Sequence, residues 1–327
     1  MAQPANTFDS YDAKGNREDL QDKIYMVSPE KTPVLSAIRR LKASNTLHEW
    51  QRDSLASPNK DNAVIEGDDR TGTALTATDR VGNYTQIFDK VAVVSDQQQK
   101  GMVSAGRSDE MKYQVAKAMS ELKRDVEAAL LSKNPAVAGN SSTARKAGGL
   151  GVLLYTNALH NGAGATAAHT SGAPTTANTA GTARAFTEAL LKTLMQSIFT
   201  NSGEMPSMVA MTPTHKGVFS GFAGIAVNRN QVAKGKQATI VGGADMYMSD
   251  FGELSIVPSY VMASSEPNTV FVLNPEQIGV AYKIGYNSVP LAKTGHTEKE
   301  LVSCEATFCS MAEKASGKID NLTTTGV

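Results

Sequence analysis

The most constraining feature of this chain is a stretch that cannot fold on itself. From Ser57 to Asn83 it carries Pro58, Gly67, Gly72 and Gly82, many Asp and Thr, and few large apolar residues. On either side the pattern turns strand-like: Thr46 to Asp53 around the only tryptophan, Trp50, and Tyr84 to Val94 with Ile87, Phe88, Val91, Val93 and Val94. Two strands flanking a polar tip describe an extended hairpin. A structureless loop of about 25 residues is out of place inside a compact domain. An excursion that reaches a neighbouring subunit has no such conflict. Removing residues 57 to 83 is therefore expected to leave a chain that folds but does not assemble normally.

The strongest local signal follows. Met111, Val115, Met119, Leu122, Val126 and Leu130 step by three or four residues, which predicts one long helix over 108–134. Ser108 is the expected cap, with Asp109 and Glu110 in the first turn, and Asn134-Pro135 ends the helix. Its outer positions carry charges of both signs. Before it, Leu20, Ile24 and Val27 predict one short helix, broken by Ser28-Pro29. Val34, Leu35, Ile38 and Leu41 predict a second, capped by Thr32 with Pro33 in its first turn.

Residues 136 to 182 are rich in Ala, Gly, Ser and Thr and contain no acidic residue. Gly148-Gly149-Leu150-Gly151 reads as a flexible loop, and 162–181 as a loop with no core of its own, either ordered by contact or mobile. Phe186, Leu190, Leu191, Leu194 and Ile198 predict a helix stopped at Gly203. Met208 to Met211 predicts a strand, and Thr212-Pro213 opens another helix. The last third is mostly strands, with Asp250-Phe251-Gly252 as a hairpin turn and Lys293 to Lys299 as a polar turn through Gly295. The mixture makes an α+β protein.

The search for chemistry finds little. His48, His160, His169, His215 and His296 are scattered, with no Cys or His at metal-ligand spacing, so no metal or cofactor is expected. The glycine run at 148–151 lacks the lysine of a phosphate-binding loop and the acidic residue of a dinucleotide fingerprint. Cys304 and Cys309 sit at odd separation on one strand and read as separate buried thiols. No stretch reaches the roughly 18 apolar residues of a membrane helix. The 32 basic residues balance 32 acidic ones, which argues against a protein that works by gripping phosphates. The balance is nearly local, because 1–135 and 183–327 are each neutral to within about one charge.

An exposed arm, a long helix, a separate α/β part and no visible chemistry favour a building block over an enzyme. The order of elements resembles the major capsid proteins of tailed bacteriophages, with the Hong Kong-phage-type capsid fold, and within them a podovirus-type major head protein family. The resemblance rests on Asn16-Arg17-Glu18-Asp19-Leu20 leading to Ile24, and on Pro29-Glu30-Lys31-Thr32-Pro33-Val34-Leu35. It continues with Tyr247-Met248-Ser249-Asp250-Phe251-Gly252 before Val257, Leu291-Ala292-Lys293-Thr294-Gly295, and Glu305-Ala306-Thr307-Phe308.

The resemblance implies an N-terminal arm at 1–45 and an extended E-loop hairpin at 46–95. It implies a peripheral domain from 96–160 and 286–311, with a spine helix at 108–134. A low-complexity loop at 161–182, an axial α/β domain at 183–285 and a C-terminal tail at 312–327 complete the chain. The implied function is self-assembly into hexamers and pentamers of an icosahedral virion shell around double-stranded DNA. The implied partners are copies of itself, a separate scaffold protein, a portal and decoration proteins. The DNA is touched only non-specifically, and no membrane is involved. Expected intersubunit contacts are Leu20, Ile24 and Trp50, the tip residues Asp61, Glu66, Asp68, Asp69 and Arg70, and Lys293, His296 and Glu298 in the peripheral turn. Two alternatives stand beside this reading: an encapsulin-like nanocompartment shell, and a soluble hydrolase with a lid at 136–182.

Overall fold

The computed structural model describes residues 24–69, 72, 75–101, 105–222, 245–249 and 251–324. Residues 24–28 form no helix or strand, so the helix expected there is absent from its described part, and 19–23 lie outside the described residues. Pro33 does open a helix, α1 (Pro33–Ala37), which buries Val34 and Leu35. It stops after five residues, because the next four form β1 (Arg39–Lys42) and pair into a sheet, where helix to Leu41 was expected. Tertiary pairing overrides the apolar spacing here.

The hairpin differs from its expected form. β2 (Leu47–Arg52) pairs with β3 (Asp79–Tyr84), Leu47 opposite Tyr84 and Arg52 opposite Asp79. The next strand, β4 (Gln86–Ser95), leaves the hairpin for another sheet. Every described residue between Asp53 and Arg80 is exposed and outside regular structure until β3 begins. Val81 and Asn83 of β3 are fully buried. Removing 57–83 would therefore take away part of the core; the described residues of 55–77 all lie outside it.

A turn of π-helix, Gln97–Gly101, precedes α2 (Glu110–Leu130). The cap is Asp109, not Ser108: its carboxylate accepts from the Lys112 amide at 3.1 Å and from Gln99 at 2.8 Å. Those bonds, led by the one from Gln99, hold its pKa at about 2. The helix ends at Leu130, short of 134, and its 21 residues span about 30 Å.

The rest of the chain supplies α3 (Leu150–Leu153), β5 (Ala158–Leu159), α4 (Glu188–Ser202), β6 (Met208–Met211), α5 (Pro213–Ser220) and β7 (Met246–Ser249). After these come β8 (Gly252–Pro258), α6 (Tyr260–Ser265), β9 (Val270–Leu273), β10 (Ile278–Pro290), β11 (Thr297–Ser310) and β12 (Gly317–Ile319). Gly203 closes α4 in the left-handed conformation at φ 68°, and Thr212 caps α5 as the sequence predicts.

Two sheets organise these elements. The first has the order β1-β10-β11-β4, with α2 packed on one face. Phe88, Val302, Cys304, Ala306 and Phe308 from that face meet Leu122, Val126 and Leu130 of α2. β10 runs on through Ile284, absorbing irregularities on both sides of it. The second sheet has the order β5-β12-β9-β6-β8-β7, and β7 and β8 form the hairpin expected around Gly252. Its core joins Leu191, Leu194 and Ile198 of α4 to Val209, Val272 and Ile319. The segment expected to be a tail thus contributes β12, which lies between β5 and β9 with Lys318 and Ile319 fully buried. Cys304 and Cys309 are both buried and free, and burial pushes both thiols up to about 12.

Gly148 to Gly151, expected to be a flexible loop, is buried and opens α3. A side chain on Gly149 would collide with the Ser132 carbonyl. These glycines serve close packing of α3 on the end of the long helix.

Candidate assembly interface

The root of the exposed loop is built from buried polar side chains. Asn83 donates to the Gly148 carbonyl at 2.9 Å and the Phe308 carbonyl at 2.8 Å, and accepts from the Gly148 amide at 2.9 Å. Trp50 donates its indole N–H to the Ser310 carbonyl at 3.0 Å and packs against the main core. Just past β3, Thr85 donates to Glu305, which also meets Arg145 at 2.6 Å and Lys283 at 3.3 Å. Burial works against the charge on Glu305, but the Thr85 bond and the two cations outweigh it and lower its pKa. The side chains of Asn83, Trp50, Thr85 and Glu305 are thereby paired, as burial demands.

Beyond this root, large apolar side chains stand in solvent. Leu55 is 99% exposed and Leu75 97%, and Val64 and Ile65 are also exposed. The body of the molecule has a second apolar surface. The sheet face opposite α2 aligns Val289, Leu301 and Val91 across three strands, with Val93 and Leu291 beside them. Ile87 and Ile284 flank Glu305 on the same face. Of these, Ile87, Val91, Val93, Ile284, Val289 and Leu291 are exposed. The Asp89–Ser303–Asn287 row separates Ile87 and Ile284 from the patch made by Val91, Val93, Leu301, Val289 and Leu291, and exposed apolar surface of that kind marks a contact site in proteins that assemble.

A charged cluster lies at one end of this face. Lys293 meets Asp96 at 2.6 Å and Glu298 at 3.8 Å, Lys100 meets Glu298 at 3.3 Å, and His296 lies 3.8 Å from Asp96. The bond from Lys293 lowers the Asp96 pKa, and the same bond raises that of Lys293.

The residues expected to make contacts are thus divided. Leu20 and Arg70 lie outside the described residues. Ile24 opens an exposed apolar run through Val27. Asp61 pairs with Lys60, both well exposed, while Glu66, Asp68 and Asp69 are exposed with no ion pair among the described residues. Lys293, His296 and Glu298 come together as one cluster. Trp50 instead anchors the loop to its own chain. Sequence reasoning missed Asn83 and Glu305, which look like ordinary surface polar residues until their neighbours are known. It also missed the outer sheet face, although a signal was present: Val91-Ala92-Val93-Val94 is apolar on both faces of a strand.

A long helix on one side of a four-stranded sheet, a six-stranded sheet beyond it and an exposed loop between strands define the class of the protein, the Hong Kong-phage-type capsid fold. The chain superposes on the capsid protein of cyanophage A-1(L) with a TM-score of 0.62, covering 97% of this chain and 99% of that one at 13% identity. It superposes on a holo-SrpI encapsulin complex from Synechococcus elongatus with a TM-score of 0.54, covering 95% and 93% at 12% identity. At such identities the likeness establishes the fold alone. Residues 3–323 match the SU10 major capsid protein family, and the chain belongs to it. It is 34% identical over 181 residues to the major capsid protein of Escherichia phage Phieco32. That match covers 50% of this chain and 51% of the relative, so the chain spans about half the length of the protein it matches. Membership makes this a structural capsid protein and sets the hydrolase reading aside.

Proposed function

We propose that the chain forms the rings of six and five that build an icosahedral phage head, and that its exposed loop joins neighbouring copies. In this reading 1–45 is the N-terminal arm and 46–95 the extended hairpin. Residues 96–160 with 286–311 form the peripheral domain, and 161–182 is the connecting loop. Residues 183–285 form the axial domain that gathers at ring centres, and 312–327 returns to the body.

The observation that carries the proposal is the pair of uncovered apolar surfaces on one chain. Leu55, Val64, Ile65 and Leu75 are exposed, and so are Val91 and Val289 on the outer sheet face. A loop laid across the sheet of the next copy covers both. Each aliphatic side chain so buried stabilises by about 1.5–3 kcal/mol. Exposed pairs made by Asp61, Glu66, Asp68, Asp69 and Arg70 contribute up to about 1 kcal/mol each and set register. The arm, with Leu20 and Ile24, adds a further contact, and Lys293, His296 and Glu298 form the charged rim. Many such contacts repeated around closed rings add up.

The partners of this reading are a separate scaffold protein, a portal and decoration proteins. Double-stranded DNA is enclosed without specific contacts, which suits a chain of zero net charge. A nanocompartment shell uses the same fold, as the encapsulin likeness illustrates. The family match favours the phage head. Sedimentation velocity of the full chain tests the proposal: rings or shell-sized particles are expected, and a monomer or dimer at high protein concentration would overturn it.

A further inference from the structure

The connecting loop is not idle. Near its middle, Gly172 makes a single parallel bridge to Val81 on the edge of the hairpin: its amide donates to the Arg80 carbonyl at 3.2 Å, and the Gly82 amide donates to its carbonyl at 2.7 Å. Arg52, on the other hairpin strand, donates to the His169 carbonyl at 2.7 Å. The His169 ring bonds the Gly172 carbonyl and sits edge-on to Trp50, with ring centres 6.5 Å apart. Two residues on, the Pro174 carbonyl accepts from the Ala136 amide at 2.8 Å, just beyond the long helix. Asn178 then donates to the Gly151 carbonyl at 2.8 Å.

These bonds fall where the hairpin leaves the body. Val81 is fully buried, and everything described from Arg80 back to Asp53 is exposed. A two-stranded hairpin is marginal by itself and holds its shape through what packs and bonds along it; here the Gly172 bridge and the Arg52–His169 bond meet it. We propose that residues 169–174 act as a strap that ties the root of the exposed loop to the end of the long helix and fixes the direction in which the loop leaves the body. The strap engages both hairpin strands and the α2–α3 junction at once, so the root cannot swing without breaking it. Gly172 suits the crossing because its φ of 61° favours glycine. The consequence for assembly rests on the loop being the joining element. The strap itself does not, and its test uses the unassembled full chain.

Spin labels at Ser54→Cys and Lys117→Cys report the distance from the loop root to the long helix. Both positions are exposed, while the native Cys304 and Cys309 are buried with thiols pushed up to about 12 and stay unlabelled. The labelled chain is expected to give one narrow distance population. Gly172→Pro, which removes the amide donor and cannot adopt the left-handed backbone, is expected to widen it at least about twofold. Arg52→Met is expected to widen it less. Hydrogen exchange over 110–130 verifies that each variant keeps its fold, and if Gly172→Pro loses that protection, Arg52→Met alone decides. Unchanged width in a variant with a protected helix overturns the strap.

Discussion

Glu127 is fully buried on the long helix and has no cation beside it within ion-pair distance among the described residues. One carboxylate oxygen accepts from the Leu35 amide at 3.1 Å and the other from the Ser259 hydroxyl at 3.0 Å. It thus ties α1 and the start of α6 to α2. Burial raises its pKa, and the bonds from Leu35 and Ser259 only partly oppose that. A carboxyl whose folded pKa is raised contributes stability at low pH, and that contribution is lost as pH rises through the folded pKa. Glu127→Gln removes the charge, keeps one oxygen to accept from the Leu35 amide and turns its NH2 to donate to the Ser259 hydroxyl oxygen, so it is expected to be at least as stable as the parent at pH 7. Its advantage is expected to shrink as pH falls toward 5. Urea unfolding of both proteins at the two pH values checks this. Glu127→Ala is expected to lose about 1–3 kcal/mol, because it orphans the Leu35 amide and the Ser259 hydroxyl.

At the scale of elements, the exposed loop and its root separate sharply. Deleting 55–77, with the ends rejoined by a short Gly/Ser turn, is expected to change the unfolding free energy by less than about 1 kcal/mol, since every described residue of the stretch is exposed. Deleting 57–83 is expected to give insoluble chain, since Val81 and the three bonds of Asn83 go with it. Soluble expression and urea unfolding of the two deletions distinguish these outcomes, and equal behaviour would contradict the boundary drawn at Asp79. That boundary shows what the sequence could reveal. The helical spacing of Met111 to Leu130, the Pro33 start of α1, the Thr212-Pro213 opening of α5 and the Gly203 stop were legible because each rests on local chemistry, whereas the Thr32 side chain makes no cap bond to α1. The return strand was misplaced by several residues because Asp79-Arg80-Val81-Gly82-Asn83 looks polar. Its burial comes from Gly148, Phe308 and Gly172, all far away in sequence. The same cause hid β12, whose Lys318 reads as surface. In the fold its ammonium bonds Asp320 at 3.0 Å, Thr166 at 2.6 Å and the Gly151 carbonyl. Of the candidate contacts, the exposed acidic tip and the 293–298 cluster were legible as charge patterns. The outer sheet face became readable only once β4, β10 and β11 were aligned.

At the scale of the whole molecule, the chain has two finished cores and two unfinished surfaces. The cores explain why it folds; in the proposed assembly, the loop tip and the outer sheet face are what each copy offers its neighbours. Net neutrality lets many copies lie side by side without mutual repulsion. A cryo-electron microscopy reconstruction of particles formed by the full chain tests this account most directly. The account predicts closed shells in which Leu55, Val64, Ile65 and Leu75 of one copy lie over Val91, Leu301 and Val289 of the next. A shell in which each loop folds back on its own subunit, or a chain that stays a small oligomer, would contradict it.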